Sequence, residues 1–375
     1  MRYKIGLIGC GRVGVLLEDD PLRGKPASHM GGIKKISHKV ESISVCDIDK
    51  ERRRHCREKW NIQNTYHRYT DLFKRENPDI AVIATWTETH KRIALHAAEN
   101  GVKGIVLEKP VAPTLKQARE IIDACNANNV KLVINHERRW DPLYRNVKSI
   151  IDDQSLGRLK LIYGNVLSQS FPIGPWQDIL PKVGGGPLLH DGTHLVDMIR
   201  YFAGEIVSLN GSVSREHPEA ATETTATASM KAQNGVTVFL EAGGMRSHFN
   251  FELDLQFERG RIRVGNGIRD FFVVEKSTRY TGFHDLVRKE FPASGPGGDP
   301  FSGAILEVMN AIETGTVPKS SGRDGLKTME VIFAIYYSAL HNSKTVALPV
   351  KISQHPLARL FRHPRGDFLW GEALI

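Results

Sequence analysis

A chain of 375 residues, 41% of them hydrophobic, is long enough for two domains with ample core. The net charge is +9, but the 51 Lys and Arg residues are spread along the chain among 42 acids; an anionic small substrate explains them at least as well as nucleic acid, and no nucleic-acid partner is expected. No stretch approaches a membrane-spanning helix, the first apolar run is too short for a signal peptide, and Cys10, Cys46, Cys56 and Cys125 lack disulfide-like spacing, so a cytoplasmic protein with reduced thiols and no membrane partner is expected.

Residues 3–8 form a β-rich run followed at once by Gly9-Cys10-Gly11-Arg12-Val13-Gly14. This is G-x-G-x-x-G in the strand, turn, helix setting that the dinucleotide fingerprint requires. Gly9 allows the tight turn, Gly11 lets the backbone approach a pyrophosphate, and Gly14 lets helix and strand pack closely; Arg12 and Val13 complete the phosphate-facing loop at the helix N-terminus. Residues 17–32, LEDDPLRGKPASHMGG, read as a Pro- and Gly-rich loop inserted after the first helix turns. Residues 42–46 read as the second strand, ending at Asp47. Its carboxylate either accepts the ribose hydroxyls of NAD or caps the helix that starts near Lys50. Lys50, Arg52, Arg53 and Arg54 leave NADP open as the cofactor.

Strands and helices then alternate: strand 80–85, helix 90–100, strand 104–107, helix 115–126, strand 131–134. A parallel sheet is expected, with ligands at the carboxyl ends of its strands. Thr85, Thr87 and His90 fall at one such end, Glu108 and Lys109 at the next, and Asn135, His136, Glu137, Arg138, Arg139 and Trp140 just beyond the last. Further on, 159–167, 207–214, 224–231, 236–243, 251–257 and 261–264 read as strands, with Asn234-Gly235 and Arg259-Gly260 as hairpin turns. Between the first two of these strands lies GGGPLLHDGTHLVD, residues 184–197. Read as one helix from Pro187, it puts His190, His194 and Asp197 on one stripe and leaves Leu188, Leu189, Leu195, Val196, Met198 and Ile199 for packing.

The segments GLIGCGRVG, AVIATWTETH, LEKPVAPT, INHERRWDP and GGGPLLHDGTHLVDMIRYFAG, in this order, resemble the glucose-fructose oxidoreductase, inositol dehydrogenase and rhizopine-catabolism (Gfo/Idh/MocA) family. With SGRDGLKTMEVIFAIYYSAL they span residues 3 to about 349. The resemblance implies an α/β fold: an N-terminal Rossmann dinucleotide-binding domain, residues 1–135, and a C-terminal α/β domain with an open, mostly antiparallel sheet, residues 136–350. A C-terminal extension, residues 351–375, has no counterpart in the family. Its large apolar residues, Leu357, Leu360, Phe361, Phe368, Leu369 and Trp370, are expected to bury against a neighbour or the protein's own surface. Because one face of the open sheet needs cover, the resemblance also implies a homo-oligomer, dimer or tetramer. The activity implied is NAD- or NADP-dependent hydride transfer at a hydroxyl-bearing carbon of a sugar, sugar acid, nucleotide sugar or cyclitol.

Hydride transfer from a secondary alcohol needs a base for the hydroxyl proton and a donor beside the developing alkoxide. Within the family pattern Lys109 is the donor and His194 the acid/base, and burial of Lys109 would let it share the proton. The pattern places an acid four residues before the histidine, where this chain has His190; the acid has moved to Asp191, about 100° round the helix. Either His190 takes over a substrate hydrogen bond or the substrate class has shifted. Asp197 either orients His194 or binds backbone. Arg138 and Arg139 suit a carboxylate or phosphate, with a surface ion pair expected for at least one. Trp140 offers a flat face for a sugar ring, and Trp176 either caps the pocket or anchors its own loop. His190, His194 and Asp197 have zinc-like spacing, but no H-E-x-x-H is present and no metal is expected. Two other readings use the same cofactor: a dinucleotide-binding regulator without turnover, and a glycosidase that uses NAD transiently. Intact Lys109 and His194 favour the dehydrogenase.

Overall fold

The computed structural model describes residues 1–168, 180–217, 219–293, 298–352 and 355–361. They fall into two compact units, the first made of Met1–Asp141 with Gly298–Leu326, the second of residues 142–293 with 327–361. Gly298–Leu326 had been assigned by sequence to the second domain; the chain instead returns to the first unit late, with a helix, Pro300–Thr314, capped by the Asp299 carboxylate. This helix packs against the helix His29–Lys35. The approach is close enough that a Cβ on Gly32 would lie 2.8 Å from the Ser302 nitrogen.

The first unit is a six-stranded parallel sheet: β1 (Tyr3–Ile8), β2 (Val40–Cys46), β3 (Thr65–Tyr66), β4 (Ile80–Ile83), β5 (Gly104–Leu107) and β6 (Lys131–Ile134). The spatial order β3-β2-β1-β4-β5-β6 reverses direction at β1 and β4. Strands β4 and β5 are apolar and buried at every position, as strands covered on both faces must be. Helices Lys50–Trp60, His90–Glu99 and Leu115–Ala127 follow β2, β4 and β5.

The first crossover departs from expectation. After the glycine turn the Val15 N–H bonds to the Gly11 carbonyl at 3.0 Å, and a short 3-10 turn, Leu16–Asp19, is all that forms before the chain swings out. Residues 20–28 make an excursion held by Glu18, whose carboxylate accepts from Ala27 N and Ser28 Oγ, both at 2.8 Å. The helix then resumes on its own stub: His29 N and Met30 N donate to the carbonyls of Val13 and Gly14 at 3.0 and 2.9 Å. The inserted loop is therefore shorter than the 17–32 expected, because residues 29–32 are helical.

The second unit is a nine-stranded sheet: β7 (Leu159–Leu167), β8 (Ile206–Ser214), β9 (Thr225–Ala232), β10 (Thr237–Gly243), β11 (Asn250–Phe257), β12 (Gly260–Gly265), β13 (Ile268–Lys276), β14 (His284–Lys289) and β15 (Val346–Ala347). Its order is β14-β13-β12-β11-β7-β10-β9-β8-β15, antiparallel throughout except for the β7–β10 pair. Helices cover one face closely: a Cβ on Gly164 would come within 2.9 Å of Leu195 Cδ1, and one on Gly211 within 2.7 Å of Ile335 Cγ2. The opposite face carries Tyr163 and Phe239 from neighbouring strands, exposed and stacked with ring centroids 5.2 Å apart. Strands β13, β14 and β15 lie outside the sequence expectation. Most of their residues are exposed or half-buried on both faces, so no inward apolar face marks the period.

Of the C-terminal extension, Leu357 is fully buried within the second unit and His355 packs 4.9 Å from the Phe333 ring, whereas Phe368, Leu369 and Trp370 lie outside the described residues. Among the described residues no helix is long and apolar enough to cross a membrane.

Candidate active site

The glycine turn is built as its sequence demands. Gly9 has φ +97°, and a Cβ there would sit 2.5 Å from the Ala84 carbonyl oxygen, so only glycine fits. Beside Gly11 a Cβ would meet nothing nearer than Arg52 Nη1 at 3.5 Å, leaving this backbone open to a close ligand. A Cβ on Gly14 would be 2.1 Å from the carbonyl oxygen of Gly9, the residue directly after β1, so at Gly14 the backbone comes too close to the strand end to admit a side chain. Asp47 belongs to this turn: it accepts from Cys10 N at 2.7 Å and Asp49 N at 2.8 Å, with Arg52 Nη1 3.6 Å away. The helix Lys50–Trp60 is capped by Asp49, which removes the capping alternative for Asp47.

At the ends of β5 and β6 a buried polar cluster forms. Glu108 Oε1 accepts from His29 Nε2 at 2.8 Å and from Asn135 Nδ2 at 2.6 Å, while Oε2 has the Lys109 N–H at 3.3 Å. Burial pushes the Glu108 carboxyl up, but the His29 hydrogen bond and the charges of His29 and Lys109 outweigh it and hold the group below the usual carboxylate range. Half-buried Glu137, next along, is pushed up by burial against the opposing charges of Arg138 and Lys109. Asn135 Oδ1 is buried without a hydrogen-bond partner. An open backbone at Gly11, a carboxylate at Asp47 and an unmatched acceptor at the sheet's carboxyl edge together suit a dinucleotide, and no feature of the turn obstructs one.

Of the contacts expected at the strand ends, His90, Arg139 and Trp140 turn out to be scaffold. His90 is fully buried, its ring nitrogens 3.1–3.2 Å from the carbonyls of Thr85, Pro110 and Val111, and burial holds its pKa down. It pins the turn after Lys109 to the end of β4 and has no surface left for a cofactor. Thr87 is buried and Thr85 half-buried, while Trp86 between them is 51% exposed. Arg138 pairs with Glu137 at 2.8 Å. Arg139 is buried, bonding the Lys319 carbonyl with Asp324 3.9 Å away. Trp140, 6% exposed, packs in the core against the helix Pro300–Thr314, where a Cβ on Gly303 would fall 2.5 Å from it. Its indole is therefore no sugar platform. Trp176 lies outside the described residues.

In the second unit the glycine run is shaped by a residue that the sequence does not announce. Glu223, fully buried, accepts from Gly186 N at 3.0 Å, Leu188 N at 3.2 Å and Tyr336 Oη at 2.8 Å. A Cβ on Gly185 would lie 2.8 Å from Tyr336 Oη, and one on Gly186 2.7 Å from Glu223 Cδ, which accounts for both glycines. Burial pushes the Glu223 carboxyl up to about 7 in spite of its three donors.

The expected single helix is two, Pro187–His190 and Gly192–Ala203, with the break at Asp191. The six apolar residues assigned to packing are all buried. The polar stripe turns inward along its length: His190 is 22% exposed, His194 8% and Asp197 0%. His190 Nδ1 lies 3.0 Å from Asp191 Oδ1, so the displaced acid and the histidine that replaced it form a pair. Asp197 accepts from Thr328 Oγ1 at 3.3 Å, and Thr328 in turn accepts from Arg200 Nη1 at 3.0 Å. Among the described residues no group of three or more His, Cys, Asp or Glu is placed to hold a metal ion.

Sequence reasoning placed Asn135 and Glu137 among the candidates just beyond the last strand of the parallel sheet without assigning them a role; it missed His29, Glu223 and Tyr336, which carried no local signal.

Comparison with known proteins agrees with this architecture. The chain is 27% identical over 363 residues to D-apiose dehydrogenase of Paraburkholderia graminis, covering 92% of this chain and 90% of that protein. It is 24% identical over 358 residues to myo-inositol 2-dehydrogenase of Thermotoga maritima, covering 92% and 98%. Among solved structures, levoglucosan dehydrogenase in complex with NADH and levoglucosan superposes with a TM-score of 0.76 at 20% identity, over 94% of this chain and 100% of that one. The WlbA dehydrogenase from Bordetella pertussis, in complex with NADH and UDP-GlcNAcA, gives 0.73 at 21% identity over 94% and 100%. These two likenesses speak to the fold. Residues 3–136 match the oxidoreductase family with an NAD-binding Rossmann fold and residues 144–263 match the GFO/IDH/MocA C-terminal domain; the chain belongs to the Gfo/Idh/MocA family of oxidoreductases, and its first domain is the NAD-binding one.

Proposed function

We propose that the protein is an NAD-dependent dehydrogenase, or reductase in the reverse direction, acting at a hydroxyl-bearing carbon of a sugar, sugar acid, nucleotide sugar or cyclitol. The observation that carries this is the joint presence of Lys109 beside a buried, ionised Glu108 and of His194 on a helix whose approach is shaped by three glycines. Support for the substrate class comes from relatives named for D-apiose and myo-inositol, both small polyhydroxylated molecules. NAD, when bound, supplies the hydride acceptor.

The chain's own groups do the rest. Gly9, Gly11, Arg12, Val13 and Gly14 form the phosphate turn, Asp47 accepts ribose hydroxyls, and Thr85, Thr87, Glu108 and Lys109 line the strand ends toward the cofactor. His194 takes the substrate hydroxyl proton, and the Lys109 ammonium stabilises the oxygen as negative charge builds on it. His190, Asp191 and Arg138 bind substrate. Absorbance of NADH formed from NAD across sugars, sugar acids, nucleotide sugars and inositols tests the reading, which requires net, substrate-dependent NADH formation with at least one of them.

The exposed face bearing Tyr163 and Phe239 supports a homo-oligomer, in which a second copy covers the open sheet.

A further inference from the structure

His29 is the first residue after the excursion of residues 20–28, at the point where the interrupted first helix resumes. Its ring is fully buried, edge-on to Phe301 with centroids 5.4 Å apart, and reaches 79 residues along the chain to Glu108. A carboxylate oxygen only accepts, so Nε2 carries the proton and donates to Oε1 at 2.8 Å. Asn135 donates to the same oxygen at 2.6 Å. Both strong donors thus converge on Oε1, and among the described residues Oε2 keeps only the long 3.3 Å approach of the Lys109 N–H. Among the same residues Nδ1 of His29 has no hydrogen-bond partner, so the ring's polar commitment there is to Glu108.

We propose that His29 is a positioning residue for the nicotinamide cofactor: it holds Glu108 by Oε1 so that Oε2 is left to accept a hydroxyl of the dinucleotide. The inference rests on the reading of Glu108 as a cofactor contact and goes beyond it in assigning the group that fixes the carboxylate. It also gives the excursion a consequence, because the helix carrying His29 is seated by bonds to Val13 and Gly14, inside the phosphate turn itself. Phosphate turn and carboxylate are thereby linked through one side chain. The charged and titratable groups facing Glu108 are His29, His90, Lys109 and Glu137. Of these, His29 makes the strongest opposition to the burial that would otherwise favour the protonated acid.

The test is fluorescence titration of the full chain with NADH between about pH 5 and 8, for wild type, His29→Gln, His29→Leu, Glu108→Gln and the double variant His29→Leu/Glu108→Gln. His29→Leu should weaken NADH binding roughly tenfold to a hundredfold, as expected for losing a hydrogen bond to a charged group. Its loss of affinity toward acid should also begin at higher pH than in wild type, since an unopposed burial raises the Glu108 pKa. His29→Gln, whose amide reaches the place of Nε2, should stay within about threefold of wild type, and the double variant should bind no worse than Glu108→Gln alone. Wild-type affinity and pH profile in His29→Leu, or losses that add in the double variant, would overturn the proposal. Glu108→Gln with unchanged affinity would overturn the underlying reading of Glu108 instead. Should His29→Leu fail to fold, His29→Asn against His29→Gln carries the test: the shorter Asn should bind NADH weakly and Gln well, and equal affinities would refute the role.

Discussion

Tyr336 donates its hydroxyl hydrogen bond to Glu223 Oε1 at 2.8 Å, deep in the second unit, and that carboxyl also receives the N–H groups of Gly186 and Leu188. The pair joins a helix near the end of the chain to the glycine run that leads into the helix of His194. It also stores a pH dependence. In the unfolded chain Glu223 titrates near the ordinary carboxyl value of about 4.3, and in the folded state burial pushes it up to about 7. The folded state therefore binds the proton more tightly. This contribution to stability is full below about pH 4.3 and is lost as pH rises to about 7, a swing on the order of 4 kcal/mol at 1.36 kcal/mol per unit. Denaturant unfolding of wild type and Glu223→Gln across that window should show the difference between them changing with pH in this sense. A difference that stays constant would mean that Glu223 keeps its charge state across the window.

Trp140 is predicted to matter through stability. Trp140→Ala should cost about 3–5 kcal/mol, the usual range for emptying an aromatic site in a core, because the indole fills the space under the helix Pro300–Thr314. Urea unfolding measures this directly. Trp140→Phe, which keeps most of the volume, should leave KM for the substrate unchanged; a raised KM with unchanged stability would restore the sugar-platform role.

How legible these features were in the sequence depended on the range over which their partners lie. The parallel half could be read strand by strand, because β4 and β5 are continuous apolar runs, β1 is broken only by Lys4 and Gly6, and turn residues bound each of them. The glycine turn was equally legible, since its spacing is local even though the backbone that crowds Gly9 lies just beyond β4, the strand beside β1. Glu223 was not. In a run of threonines and alanines it reads as a surface acid, and it is buried against the glycine run that precedes it by 37 residues and Tyr336, which arrives 113 residues later. The same holds for Trp140, preceded by two arginines and covered by a helix that returns some 160 residues on. His29 looked like part of a Pro- and Gly-rich loop because the excursion before it hides that the helix resumes at that residue. Local pattern, through a family resemblance, singled out Lys109 and His194 as the proposed catalytic pair; the groups that hold Glu108 beside Lys109 and the glycine run before His194 come from distant segments.

The exposed Tyr163 and Phe239 pair predicts an association surface. Tyr163→Asp combined with Phe239→Asp should lower the mass measured by light scattering, with thermal unfolding of each chain otherwise similar. A wild-type chain that scatters as a monomer would show that this face is simply tolerated in water.

The central claim is that Lys109 and His194 serve hydride transfer to or from NAD, and the most direct measurement is steady-state NADH formation on the substrate found by panel, alongside NADH binding, for wild type, Lys109→Met and His194→Ala. The account predicts that each substitution lowers kcat by roughly a hundredfold to ten-thousandfold, the effect of losing a general acid or base, while NADH affinity changes far less. It is contradicted if His194→Ala keeps full kcat, or if wild type binds NADH and turns over a glycoside with no net change in NADH, which would make it a hydrolase that borrows the cofactor.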